Sequence, residues 1–196
     1  MKKIALLALA AAFSLSACDQ QSETSVSPET TSSAASAINE AASTPESAVQ
    51  TLTSKDGKIS IRVENASFTD VSSDKNQLPP GADTADIVLL QRDEAQDITL
   101  YVTSLGKPKK PATEYFAKLK KAIESDSSLK DIKIGVATEN RMDYHFSQAS
   151  GEEILNETCV SVYSPEGLYN VCANSPSASL DQLERVLNDI KLNPQS

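Results

Sequence analysis

The stretch Cys159-Val160-Ser161-Val162-Tyr163-Ser164-Pro165-Glu166-Gly167-Leu168-Tyr169-Asn170-Val171-Cys172 decides the fold. Residues 164–167 bring Pro and Gly together between two β-branched and aromatic runs, the signature of a hairpin. Pairing Tyr163 with Leu168 and counting outward sets 162 against 169, 161 against 170, 160 against 171, and Cys159 against Cys172. Facing residues of an antiparallel pair have Cα atoms about 4.5 to 5.5 Å apart, within disulfide range. A bond between the thiols is therefore expected. It closes a loop of roughly 14 residues, worth on the order of 3 kcal/mol by chain entropy and less if the reduced hairpin stays formed. A redox role is the competing reading, but reactive pairs usually sit as Cys-X-X-Cys at a helix start, and twelve residues separate these two.

Working outward, residues 141–147 place Met142, Tyr144 and Phe146 on one face of a strand and Asp143 and His145 on the other. Residues 131–138 alternate Ile132, Ile134 and Val136. Further upstream, residues 84–92 carry the run Ile87-Val88-Leu89-Leu90, expected of a strand covered on both faces. Residues 97–105 pair with it across a polar turn. Asp56-Gly57 signals a turn into a half-buried strand with Ile59, Ile61 and Val63. Residues 65–81 read as a loop anchored by Phe68 and Val71.

Two helices are expected. One opens at Pro111 and runs to Ser125, with Ala112, Phe116, Leu119 and Ile123 on one stripe. The other starts at a capping box of Ser179 and Gln182, has Leu180, Leu183, Val186, Leu187 and Ile190 as its stripe, and ends at Asn193-Pro194. Strands joined by short turns, with two separated helices, define an α+β class built on an antiparallel sheet.

The amino-terminal region gives the address. Lys2 and Lys3 precede a twelve-residue apolar run, far short of the roughly 20 residues a spanning helix needs. Leu15-Ser16-Ala17-Cys18 then resembles a lipoprotein lipobox. The resemblance implies cleavage after Ala17, a diacylglycerol thioether on Cys18 and acylation of the new amino terminus, palmitate being the usual chain. By the enterobacterial sorting rule, Asp19 implies retention on the periplasmic side of the inner membrane; the outer membrane is the alternative. That compartment is oxidising, which agrees with a Cys159–Cys172 bond. Residues 18–53 follow as a lipidated, acidic linker rich in Ser, Thr and Ala, with too little apolar surface to offset ordering entropy. The linker would span about 30 Å as a coil and on the order of 120 Å stretched.

The chain carries 18 basic and 27 acidic residues. Removing residues 1–17 takes two lysines with it, so the mature net charge moves from −9 to −11. Such a charge excludes nucleic acid as a ready partner and leaves membrane attachment to the lipid. Positive charge concentrates only at Lys107, Lys109, Lys110, Lys118, Lys120 and Lys121, expected to be a solvated helix face; contact with an acidic partner or anionic headgroups is the functional alternative.

Few residues of the chain point to chemistry. His145 is the single histidine and is expected at a surface or edge position. Zinc needs three or four Cys, His or carboxylate ligands, and the chain offers one histidine and two thiols expected to be bonded. Glycines are scattered, so no phosphate loop forms, and Asp93-Glu94 and Glu152-Glu153 read as solvated turn acids. No catalytic set, metal or cofactor is expected.

The order of a lipobox, a low-complexity tail, the strand Asp56-Gly57-Lys58-Ile59-Ser60-Ile61, Phe68-Thr69-Asp70, strands ending in Leu100-Tyr101-Val102, the helix with Phe116-Ala117-Lys118-Leu119, four strands and a last helix resembles the DcrB family of inner-membrane lipoproteins. The resemblance covers residues 54–193 and implies the PsbP/Mog-like fold, an antiparallel sheet flanked by helices. It also implies an adaptor or assembly role at the cell envelope, with involvement in phage or colicin uptake, and brings no catalytic residues. Glu64-Asn65 after the first strand and the cysteine pair depart from the family pattern. The expected function is a tethered, non-catalytic binding domain for an envelope protein; a small-ligand carrier is the alternative.

Overall fold

A computed structural model describes residues 48–79 and 82–193. The signal segment, Cys18, Asp19, the linker up to residue 47, Pro80, Gly81 and Pro194 lie outside the described residues.

Two antiparallel sheets organise the domain. The smaller has three strands, with β2 (Ile59–Glu64) between β1 (Val49–Thr53) and β10 (Asp189–Leu192). The larger has seven: β3 (Thr69–Asp70), β4 (Ile87–Asp93), β5 (Ile98–Ser104), β9 (Gly167–Ser175), β8 (Glu153–Ser164), β7 (Arg141–Ser150) and β6 (Leu129–Ile134), in that spatial order. Helix α2 (Leu180–Val186) packs with the small sheet on one face of the large sheet, and α1 (Ala112–Ser125) packs on the other. This is the α+β, mainly antiparallel class expected.

The alternation of each strand sorts its residues between two cores. Ile98, Leu100 and Val102 of β5 meet Ile59, Ile61, Val63, Leu183 and Leu187 in the first core. Tyr101, the neighbour between them, joins Leu90, Phe116, Ile123, Tyr144 and the cysteines in the second. Strand β4 feeds both, Leu89 inward to the small sheet and Leu90 under α1, so its continuous apolar run is explained.

The hairpin register is the one counted from the turn: Tyr163 faces Leu168 and Cys159 faces Cys172. The cysteines are bonded, with Cα atoms 4.1 Å apart. Gly57 adopts φ +71° in the Asp56-Gly57 turn, a left-handed conformation that suits glycine.

Four expectations need correction. Val49–Thr53, assigned by composition to the linker, is strand β1: Leu52 enters the core and the strand pairs with β2 throughout. The last helix stops at Val186 and does not run on to Asn193. Ile190 lies instead in β10, facing Ile61 across the open edge of β2. A spacing of three or four from Val186 and Leu187 had mimicked a helical stripe, while the unpaired edge of β2 supplied the competing hydrogen bonds. Third, the strand expected over 131–138 begins at Leu129 and ends at Ile134, with a bulge where Asp131 has φ +50°. Beyond Ile134 the backbone still bonds β7 through the Gly135 amide to Asp143 and the Thr138 amide to Arg141, and Val136 between them turns outward, 94% exposed. Fourth, the loop over 65–81 contains β3, paired with Arg92 and Gln91 of β4. Phe68 is buried and Val71 packs against the second core, as anchors.

Candidate functional site

Each face of the large sheet carries a recess. The first lies under the carboxyl-terminal end of α1 and encloses about 350 Å³. Its floor is built by cross-strand neighbours. Register places Tyr144, Cys159, Cys172 and Tyr101 in one row and Phe146, Glu157 and Asn174 in the next. Ile123 and Ala122 of α1, with Asp126 and Leu129 beyond it, form the walls.

Glu157 is the unusual member, a carboxyl only 6% exposed inside an apolar core. Tyr101 donates its hydroxyl to Oε1 at 2.6 Å, Gln148 Nε2 reaches Oε2 at 3.4 Å, and Cys159 Sγ lies 3.4 Å from Oε1. Burial raises the acid above the ordinary carboxyl range, against the opposing help of hydrogen bonds from Tyr101, Gln148 and Asn174. Burial, then the neighbouring Glu157 charge, also drives the Tyr101 phenol well above its usual value, and burial does the same to Tyr144. Periodicity hides this acid, because Glu157 sits in an otherwise ordinary strand. A signal was available: an acid two residues before Cys159 must share the sulfur's face.

Glu157, Cys159 and Cys172 place one oxygen and two sulfurs within 4.8 Å. The bond between the sulfurs removes both as thiolate ligands, so the cluster does not offer a metal three donors.

The second recess, about 200 Å³, lies on the α2 face among Lys133, Arg141, Asp143, His145, Thr158 and Glu184. His145 is not a surface residue: it is 9% exposed, and its Nδ1 lies 2.8 Å from Glu184 Oε1 on α2. The reason is register. His145 sits opposite Thr158 on a face that α2 covers, and β6 takes the edge outside it. An acid and an imidazole in contact are half of a nucleophile-activating set. Among the described residues no hydroxyl is bonded to the imidazole; Thr158 Oγ1, on the register partner of His145, is buried and makes no hydrogen bond.

Asp93 also departs from expectation. It is 1% exposed and accepts the backbone amides of Ser67 and Gln96 and the Gln96 side chain, tying the loop after β2 to the β4–β5 turn. Glu94, its neighbour, is exposed and reaches Arg92 at 3.4 Å.

The lysines stand on the solvent side of α1 and the segment before it, and Lys107, Lys109, Lys110, Lys118 and Lys121 are all exposed. Glu114 bridges Lys110 at 3.2 Å and Lys118 at 3.1 Å, and Glu124 lies 3.8 Å from Lys120. The patch is therefore partly neutralised by two acids of its own helix, Glu114 and Glu124.

No family model matches this chain, and no curated protein matches it. The geometry by itself defines an α+β domain with one disulfide and a recess on each face of its large sheet.

Proposed function

We propose that the chain is a lipoprotein, anchored through Cys18 on the periplasmic side of the inner membrane, whose folded part is a non-catalytic binding domain for an envelope protein. Within this proposal the finer fold is the PsbP/Mog-like one of the DcrB family, and the process is envelope assembly or homeostasis, open to exploitation in phage or colicin uptake. The observation that carries the reading is the Cys159–Cys172 bond at the centre of the sheet. Such a bond belongs to an oxidising compartment, and the lipobox points to that compartment from the other end of the chain. The element order from β4 onward, with two strands, α1, four strands and α2, supports the family likeness, while β1 and the closing strand β10 are additions to it.

A small-ligand carrier is the second reading, favoured by the recess over Glu157. Membrane fractionation with a Cys18→Ala control, followed by crosslinking in intact cells, tests the first. The expected result is wild-type protein with inner-membrane markers, loss of anchoring in the variant, and crosslinks to an envelope protein. Recovery with outer-membrane markers would overturn the location, and crosslinks only between copies of the chain would overturn the partner.

A further inference from the structure

Among the described residues, the α1 recess is lined by two acids and no base. Glu157 forms its floor, and the Asp126 carboxylate stands at its rim. Ser128 binds Asp126 through its backbone amide and hydroxyl, which hold that acid in its charged form. Asp126 also caps α1, and the carboxyl-terminal end of a helix carries negative partial charge. Helices commonly place a base in that last turn; α1 has none. The base next along the chain, Lys130, rests its Nζ 3.5 Å from the Ser127 carbonyl and does not line the recess.

The remaining lining is aromatic. Tyr101, Tyr144 and Phe146 border the space, with the last two rings stacked at 15° and 6.3 Å between centroids. Aromatic rings beside a carboxyl attract organic cations, through the ring quadrupole and by charge. A buried acid without a basic counter-charge costs stability, and the groups around this one, Phe146 and Asn174 in register and Tyr101 and Gln148 by hydrogen bond, are all uncharged side chains. A bound cation would compensate that cost.

We propose that this recess binds an ammonium group carried on an alkyl chain, with Glu157 as the counter-charge and Tyr101, Tyr144 and Phe146 as its aromatic border. Gln148 and Tyr101 hold the Glu157 carboxyl in place through their hydrogen bonds. The ammonium belongs either to a free amine or to a lysine side chain of a protein. The inference rests on the domain being a binding domain, and it names the chemistry recognised.

Calorimetric titration of the full lipoprotein in neutral detergent tests it, with putrescine, tetramethylammonium and Nα-acetyl-lysinamide as probes, and 1,4-butanediol and sodium chloride as controls. Saturable binding of at least one ammonium probe is expected, weakened tenfold or more in Glu157→Gln, with no response to the diol. Preference for putrescine would assign a free amine, and preference for the lysine amide a protein side chain. Ala122 is exposed at the wall, so Ala122→Lys places a tethered ammonium at the recess without touching the core; it is expected to abolish probe binding. Absence of binding by all three probes, equal binding by Glu157→Gln, or an equal response to the diol would each overturn the proposal. Crosslinking of Glu157→Gln in cells separates the two levels. A partner retained when no ammonium binds leaves the binding domain standing and removes only this site.

Discussion

Tyr101 donates its phenolic hydrogen to Glu157 across 2.6 Å, linking β5 to β8 over the intervening β9. Both groups are buried, and the acid's affinity for its proton is raised by burial first, with hydrogen bonds pulling the other way. Above the ordinary carboxyl value of 4.5, the unfolded chain releases this proton while the folded domain keeps it. Stability contributed by Glu157 is therefore full below that value and falls as pH rises toward the raised one. Urea midpoints measured from about pH 4 to pH 8 are expected to show that fall in wild type and to lose it in Glu157→Gln. A fall of the same size in the variant would sink the assignment.

The Cys159–Cys172 bond spans thirteen positions of sequence in a hairpin already held by a nine-pair register. Chain entropy sets its worth at on the order of 3 kcal/mol, reduced to the extent that the open hairpin persists. Replacing both cysteines with serine should lower stability by about 2 to 3 kcal/mol while leaving the far-ultraviolet dichroism unchanged. Part of that loss comes from burying two hydroxyls where the sulfurs made no demand for partners. Denaturant titration of the oxidised, reduced and double-serine forms checks it; three coincident curves would show the bond to be energetically silent.

Asp93 works as a clasp between two loops. Burial raises its proton affinity, but the amides of Ser67, Gln96 and Ala95 and the Gln96 side chain outweigh it and hold the group below its ordinary 3.8. The sign is opposite to that of Glu157. Asp93 contributes stability above pH 3.8 that is lost as the medium becomes more acid. Asp93→Ala leaves two backbone amides without their acceptor and should cost about 2 to 3 kcal/mol at neutral pH. Hydrogen exchange should show the Ser67 amide losing protection first, and unchanged protection there would contradict the clasp.

What could be read from the chain divides along a physical line. Local chemistry was legible: the turn at 164–167 set the register of β8 and β9, and the Ser179–Gln182 capping box is present as read. Strand faces followed from alternation, so Met142, Tyr144 and Phe146 share the α1 side. Non-local competition was not legible. Ile190 satisfies both a helical and a strand period, and only the open edge of β2, more than 120 residues away in sequence, selects the strand. The recess over Glu157 was hidden for a similar reason. Its parts come from β5, β7, β8, the end of α1 and the start of β6, and no single window joins Tyr101, Asp126 and Glu157.

Among the polar links between the two sheets, Tyr169 of β9 donates its hydroxyl to Asp56 Oδ2 at 2.9 Å, beside the turn that leads into β2. Burial, then the hydrogen bond to Asp56 and its charge, push the Tyr169 phenol up to about 12. Asp56 is held below 3.8, since bonds from Ser54, the Lys58 amide and Tyr169 outweigh its burial. The link should therefore weaken at both ends of the pH scale. As pH rises from 10 to about 12, the unfolded phenol ionises and the folded one does not, so stability falls. As pH drops below 3.8, the unfolded chain protonates Asp56 before the folded one does, and stability falls again. Tyr169→Phe should cost about 1.5 to 3 kcal/mol at neutral pH, the range of a hydrogen bond to a charged acceptor, and should reduce the alkaline limb, to which the raised phenols of Tyr101 and Tyr144 also contribute. Asp56→Asn should reduce the acid limb, leaving the part that Asp93 contributes. Stability curves of the two single variants and the double variant, run from acid to alkali, resolve the pair; strictly additive losses would show that the hydroxyl and the carboxylate act independently.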